Sequence, residues 1–374
     1  MMKLNICVIE CNRIIAYDCK LCYNIVDMDK KTEQKNVTGK DIAELAGVSQ
    51  STVSRVLSST GDDSLISEKT AARIRAIAKE VGYSPNPIAR ALRGEKTYLI
   101  GLIVREIADP FFAGIIEELI GGFRQFGYSV ILGHGHSDPT EALEITRVLD
   151  SRQCDGMIFL GDLNDDMKYI KSIIEQDHPA VTMCRGNQPD PIPSVNCNNA
   201  SGTRMLIDHL LELGHKKIDF IDGGSIGDIR ERRTAFSQLE EQYSNLFNTI
   251  ITAERNNFEG GYKAAKTLLE KEDLPTAIMA ADDGMAVGVL SALKDAGFDV
   301  PGQISVTGFD DIELSKYLVP GLTTIRQPIE EMSKAVIDML LKLINKQSLT
   351  EAEMNVILEP KLIVRDSSGP VSGK

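Results

Sequence analysis

Gln50, Ser51, Ser54 and Arg55 share one side of a short stretch, Lys40 to Leu57, that reads K-D-I-A-E-L-A-G-V-S-Q-S-T-V-S-R-V-L. Their chemistry is hydrogen bonding to a planar edge. A glutamine amide and an arginine guanidinium can each make paired bonds to a base edge in the DNA major groove. A second group suits a small polar ligand: Asp109, Arg232, Asp282 and Asp310, with Phe111 and Phe112 next to the first. Carboxylates accept from hydroxyls, a guanidinium fork takes two oxygens, and a ring covers an apolar face. One member of each pair Asp282-Asp283 and Asp310-Asp311 can equally be a helix cap, the two rings core residues, and Arg232 a surface ion-pair partner of Asp228 or Glu231.

Other candidates lead away from catalysis and metals. Gly223-Gly224-Ser225-Ile226-Gly227 fits the G-x-S-x-G string, but a nucleophile there needs a later histidine and the last one is His215, so that triad cannot be completed. No G-x-G-x-x-G, P-loop or H-E-x-x-H occurs; neither an enzyme nor a catalytic residue is expected. Cys7, Cys11, Cys19 and Cys22 crowd the first 27 residues, and Cys19-Lys-Leu-Cys22 has zinc-ligand spacing, but a second C-x-x-C and a nearby histidine are missing. His134 and His136, two apart past a strand, read as loop residues. No metal and no cofactor is expected.

The elements that must position the first group are two short helices and a turn. Ile42, Leu45 and Ala46 form an apolar face to be buried, Gly47 stops the helix by taking positive φ, and Ser49 caps the next helix. Val53, Val56 and Leu57 then point inward. This spacing is that of a helix-turn-helix; an ordinary helical hairpin with a solvated outer face is the alternative. Leu65 to Val81 predicts a third helix capped by Ser67. Beyond it lies S-P-N-P-I-A-R-A-L-R-G, residues 84 to 94, with Pro87 at a helix start and Gly94 at its end. A helix of roughly seven residues is below the ~12 to 15 needed alone in water, so it must form against a partner. Two copies in a homodimer could pack together, press Leu92 between base steps of the minor groove and set Arg90 and Arg93 on phosphates. The alternative is a linker packed on the neighbouring domain.

From Tyr98 onward, short apolar runs alternate with amphipathic helices, the pattern of parallel sheets with crossover helices. Strands are expected at 98–104, 129–133, 156–160, 180–184, 194–197, 217–221, 249–252, 277–280, 304–309 and 322–326. Two halves of similar layout imply two lobes and a cleft. The candidate ligand residues fall just past strands, where open α/β sheets bind ligands. Net charge is −13. Lys40 to Lys96 holds nine basic and seven acidic residues, a balance of +2 that leaves −15 for the remainder, so only one end of the molecule suits phosphates. Seven scattered cysteines suit a reduced cytoplasmic interior, and no apolar run reaches the ~18 residues of a membrane span.

Residues 38 to 97 resemble the headpiece and hinge helix of the lactose-repressor (LacI/GalR) family, through D-I-A-E-L-A-G-V-S-Q-S-T-V-S-R-V-L and Y-S-P-N-P-I-A-R-A-L. The rest resembles the periplasmic sugar-binding-protein fold attached to such heads, through D-P-F-F-A-G-I-I-E-E-L, L-I-D-H-L-L-E-L-G-H-K-K-I, G-F-D-D-I-E-L and L-T-T-I-R-Q-P. The resemblance implies base reading by Gln50, Ser51 and Arg55, a phosphate or base contact by Thr52, intercalation by Leu92, and ligand stacking by Phe258. It also implies an all-α helix-turn-helix domain joined to two Rossmann-like parallel-sheet lobes. The expected divisions are 1–37, a disordered arm or start-site artefact upstream of Met28; 38–84, the head; 85–97, hinge and linker; and 98–374, the effector-binding body. One lobe is expected at about 98–185 and 328–358, the other at about 187–326 and 360–368, with crossings near Arg185-Gly186, Arg326-Gln327 and Glu359-Pro360. Asp282 stands where the family more often has Asn, and Asn198 where it usually has Asp. The function implied is a dimeric repressor on a palindromic double-stranded DNA operator, its affinity set by a small molecule. A sugar leads, with a purine-like corepressor or a partner phosphoprotein as options. A solute-binding protein without DNA function would have no use for residues 40 to 94.

Overall fold

The computed structural model describes residues 37–57, 66–83, 96–151, 154–162, 177–186, 192–224, 227–242 and 249–371. They fall into two separate compact units that divide between Asn86 and Pro87. The hinge stretch with Arg90, Leu92 and Arg93, the first 36 residues with their four cysteines, and residues 163–176 lie outside the described residues.

The described residues of the first unit form three helices. In α1 (Gly39–Ala46), Thr38 and Asp41 form a reciprocal capping box, which satisfies amides a helix start leaves unpaired. Gly47 closes α1 at φ 62°, a conformation that costs a glycine little. Ser49 Oγ accepts from the Thr52 amide at 3.1 Å and opens α2 (Gln50–Leu57). Ser67 caps α3 (Glu68–Glu80). Ile42, Ala43, Ala46, Val53, Val56, Ala71, Ile74 and Ala78 form the shared core. Leu45, expected inside, is 62 % exposed. At 100° per residue, a buried arc spanning Ile42, Ala46 and Ala43 leaves Leu45 more than 90° from its centre.

The second unit opens with β1 (Leu99–Val104), α4 (Pro110–Gln125), β2 (Ser129–His134), α5 (Pro139–Ser151), β3 (Gly156–Leu160), β4 (Ala180–Met183) and β5 (Ser194–Cys197). Next come α6 (Asn199–Glu212), β6 (Ile218–Asp222), α7 (Gly227–Gln242), β7 (Ile250–Thr252), α8 (Phe258–Leu269), β8 (Ala277–Ala280), α9 (Asp283–Asp295) and β9 (Ser305–Thr307). It ends with β10 (Thr324–Arg326), α10 (Ile329–Ile344), α11 (Glu351–Met354), β11 (Asn355–Leu358) and β12 (Lys361–Ile363). One sheet has the order β11-β5-β4-β3-β1-β2 and the other β7-β6-β8-β9, all pairs parallel. The unbroken apolar runs of β1 and β3 reflect burial on both faces, as parallel sheets require. The N-lobe core sets Phe111, Phe112, Ile115 and Leu119 of α4 and Met332, Val336 and Leu340 of α10 against β1, β3 and β4. The C-lobe core groups Phe220, Phe236, Met279, Val289 and Phe309.

Two features depart from expectation. Ser194–Cys197 is a strand of the N-lobe sheet, between β4 and β11, so the chain first crosses after Cys197 and not at Arg185-Gly186. The tail also holds β11 and β12, which lack the longer apolar alternation of the others. β11 extends the N-lobe sheet, while β12 pairs antiparallel with β10, Ile325 facing Leu362. The second and third crossings therefore run side by side.

Candidate functional site

On the first unit, the inward turn of Val53 and Val56 puts Gln50, Ser51 and Arg55 at the exposed surface of α2, with Thr52 half-buried. Ser49 Oγ lies 2.7 Å from Ser51 Oγ and 2.8 Å from Thr52 Oγ1. The cap that starts the helix thus also orients two of the candidate DNA-contacting hydroxyls. A helix presenting its first two turns with a glutamine and a guanidinium outward has the form of a recognition helix.

On the second unit, the carboxyl ends of both sheets converge. Arg105 follows β1; its guanidinium stacks 4.8 Å from the Phe112 ring centre, 3.6 Å from Asp109 and, across the lobes, 3.7 Å from Asp228 at the start of α7. Asp162, past β3, accepts from the Gly227 amide of the other lobe at 3.0 Å and pairs with Arg185. A Cβ on Gly227 would come within 2.7 Å of Arg185 O and of Asp162 Cβ, so the lobes meet here at backbone distance.

Arg232, one turn into α7, is 2 % exposed. Its Nε donates to Asn199 Oδ1 at 2.9 Å, Nη1 to Ala281 O at 2.7 Å, and Nη2 to Asp228 at 3.3 Å and Asp310 at 3.2 Å. Its face lies 3.7 Å from the Phe309 ring. Burial disfavours its cation, yet Asp310, Asp228 and Asp282 hold its pKa above the ordinary value. Four donors are spent within the protein, leaving little of the fork for a ligand. Asp310, at φ 114°, is raised by burial and opposed by Arg232. It accepts from Gln327 at 2.6 Å, and its strained backbone is of the kind found at functional sites.

Asp109 caps α4 through the Phe111 amide at 2.9 Å. Burial first, and then the charge of Asp282, push its pKa up to about 6, with Arg105 opposing. Asp282 caps α9 through the Met285 amide at 2.7 Å and accepts from Asn256 Nδ2; burial raises it too. Phe258 opens α8 and is 39 % exposed, while Phe111 and Phe112 are buried in the N-lobe core. Asp283 is an internal buttress: it accepts from the Ile312 amide, Ser315 and Thr324. Asn198 caps α6 and donates to Glu359 at 2.7 Å, a bond that an aspartate there could not donate.

The structure adds four residues to those singled out from sequence: Arg105, Asp162, Asp228 and Asn256. Arg105 Nη1, Asp162 Oδ1, Asp228 Oδ1 and Asn256 Oδ1 are buried with no hydrogen-bond partner among the described residues. Buried polar atoms are nearly always paired, so a group of such atoms where two lobes meet is the form of a ligand site. Arg105 and Asp162 lie just past strands, and that position was the available signal. His134 and His136 stack with ring centres 3.7 Å apart, near Glu106 and Glu141.

Comparison with known proteins matches both units. The family profile for bacterial regulatory proteins of the lacI family covers residues 38–86, and that for periplasmic binding protein-like domains covers 207–368. The chain is 31 % identical to the HTH-type transcriptional regulator DegA of Bacillus subtilis, over 89 % of this chain and 98 % of that protein. A structure of the Lac repressor dimer bound to operator and the anti-inducer ONPF has a TM-score of 0.77 at 28 % identity, covering 90 % of this chain and 100 % of the other. A complex of the transcriptional regulator CelR with cellobiose has a TM-score of 0.64 at 26 % identity, covering 88 % and 99 %.

Proposed function

The chain belongs to the lacI family of bacterial regulatory proteins, and from that premise we propose that it is a homodimeric, cytoplasmic repressor of a palindromic operator, released by a sugar bound between its lobes. The chain is a DNA-binding transcriptional repressor with an effector-binding body. Gln50, Ser51 and Arg55 read base edges, and Thr52 contacts the backbone or a base. Leu92 wedges the minor groove, flanked by Arg90 and Arg93 on phosphates. No helix among the described residues is long and apolar enough to cross a membrane.

One observation carries the effector class. Around the cleft, the buried atoms without a hydrogen-bond partner among the described residues include three acceptors, on Asp162, Asp228 and Asn256, and two donors, Arg105 Nη1 and Asn196 Nδ2. Asp109 and Asp282 add two further carboxyl groups. A ligand that matches this set donates more hydrogen bonds than it accepts and carries no negative charge, since anions would meet several carboxylates in a low-dielectric site. A neutral polyhydroxylated molecule fits: its hydroxyls meet the acceptors, one ring oxygen meets Arg105, and Phe258 covers an apolar face. Arg232 holds the carboxylates in place beneath it. The cellobiose found with a relative accords with this class.

The test is a thermal-shift screen of neutral sugars, sugar phosphates and nucleobases on the full chain, with hits retested for release of a palindromic duplex selected by the protein from a random library. Neutral sugars should raise the melting temperature and release the duplex. Hits confined to nucleobases would transfer the site to a purine-like corepressor, and hits confined to sugar phosphates would overturn the charge argument. In the same assay Leu92→Ala should weaken specific duplex binding and leave the sugar shift intact.

A further inference from the structure

Two neighbouring parallel strands each have one end at the cleft and the other where the DNA-binding head's tether enters the body. β1 ends just before Arg105 and begins just after Thr97 and Tyr98; β3 ends two residues before Asp162 and begins just after Asp155. Six residues of strand span about 20 Å. At the far end, one side chain ties the two strands together. Asp155 Oδ1 accepts from the Thr97 amide and from Thr97 Oγ1, both at 2.8 Å, and Oδ2 accepts from the Tyr98 amide at 2.9 Å. The Asp155 amide donates back to Leu99 O at 2.8 Å.

The backbone there needs holding. Tyr98 takes φ 60°, a left-handed conformation unusual for a bulky residue and unfavourable unless its surroundings hold it. Hydrogen bonds to a carboxylate are the stronger kind, and three converge on Asp155. Thr97 is buried, and the Tyr98 ring rests 5.2 Å from Tyr128. Lys96 Nζ, the last group before the undescribed stretch, donates to Asn345. Thus the point from which the tether departs is fixed to the strands that carry Arg105 and Asp162, the residues that contact the opposite lobe.

We propose that Asp155 is a positioning residue that couples cleft to operator: it makes the tether's origin move with β1 and β3 when Arg105 and Asp162 change partners. This rests on the reading that the state of the cleft sets operator affinity. Loss of the clamp leaves the cleft and the DNA-reading surface chemically intact and disconnects them.

The test is a double-mutant cycle on the full chain, with the selected palindromic duplex as probe and Asp228→Asn as the cleft perturbation. That variant alters the contact to Arg105 without touching β1 or β3. In the wild-type background Asp228→Asn should shift duplex affinity by about fivefold or more, a typical coupling. In an Asp155→Asn background the same change should shift it by less than about twofold, and exchange of the Thr97 and Tyr98 amides should speed up. Thr97→Val, which fits a buried site and removes one of the three bonds, should reduce the shift partway. Equal shifts in all backgrounds, or unchanged amide exchange in Asp155→Asn, would overturn the proposal. If Asp155→Asn does not fold, an undiminished shift in Thr97→Val overturns it and a reduced one supports it. A wild-type duplex affinity indifferent to Asp228→Asn would instead bring down the underlying link between cleft and operator, and the proposal with it.

Discussion

Arg232 and Arg105 lie on either side of the same cleft, both buried and both beside Asp228, and they do opposite work. Arg232 spends its donors on Asn199, Ala281, Asp228 and Asp310. Arg105 holds Asp109 and Asp228 only at ion-pair distance and keeps a buried nitrogen without a hydrogen bond among the described residues. A saturated guanidinium is part of the scaffold, whereas an unsaturated one is a place for something to bind. Burial and charge alone do not separate the two; the donor count does.

The largest effect should follow from removing the saturated arginine. Arg232→Ala strands Asp228 and Asp310 in the interior and should cost about 3 to 5 kcal/mol of unfolding free energy in urea titration, the usual penalty for breaking a buried pair. Arg105→Gln should cost much less and yet abolish the sugar-induced thermal shift. The reverse pattern would exchange their roles. Next in size, Arg55→Ala on the head should lose about 1 to 3 kcal/mol of discrimination at one base position, read by duplex competition, with the sugar shift unchanged.

A smaller effect is expected where the lobes touch. Gly227→Ala puts a methyl group against Arg185 O and Asp162 and should destabilise by about 1 to 3 kcal/mol, as overpacking does, and weaken sugar binding with it. The smallest is a pH effect. Asp109 has a folded pKa of about 6, above its ordinary 3.8, so the native state binds more protons than the unfolded chain between those values. Its contribution to stability therefore falls as pH rises from 4 through 6. Asp109→Asn, which can still cap α4, should raise the melting temperature by about 2 °C at pH 8 and leave it unchanged near pH 4. A gain independent of pH would mean that the carboxylate's charge is not what burdens the cleft.

Much of this was legible in the residues. The α1 and α2 turn, the caps Ser49, Ser67 and Asp109, and strands such as Gly156–Leu160 follow from local chemistry, because capping and apolar runs act within a few residues. The assignment of Ser194–Cys197 to a lobe did not, since a strand of four residues pairs equally well in either sheet until its neighbours are in place. The roles of the arginines near the start of α7 were also hidden. Arg230, Arg232 and Arg233 lie within four positions, and only three-dimensional packing sends them to Asp162, Asp310 and Asp222 respectively. Arg105 was overlooked for another reason: its position past β1 was visible, but its open nitrogen is a fact about what does not surround it.

The most direct measurement is duplex affinity of the full chain, by fluorescence anisotropy, as the best neutral sugar from the thermal-shift screen is titrated in. Affinity should fall by about fivefold or more at sugar concentrations that saturate the cleft, and Arg105→Gln should remove that response without altering sugar-free binding. A sugar that saturates the cleft while duplex affinity stays constant would contradict the account.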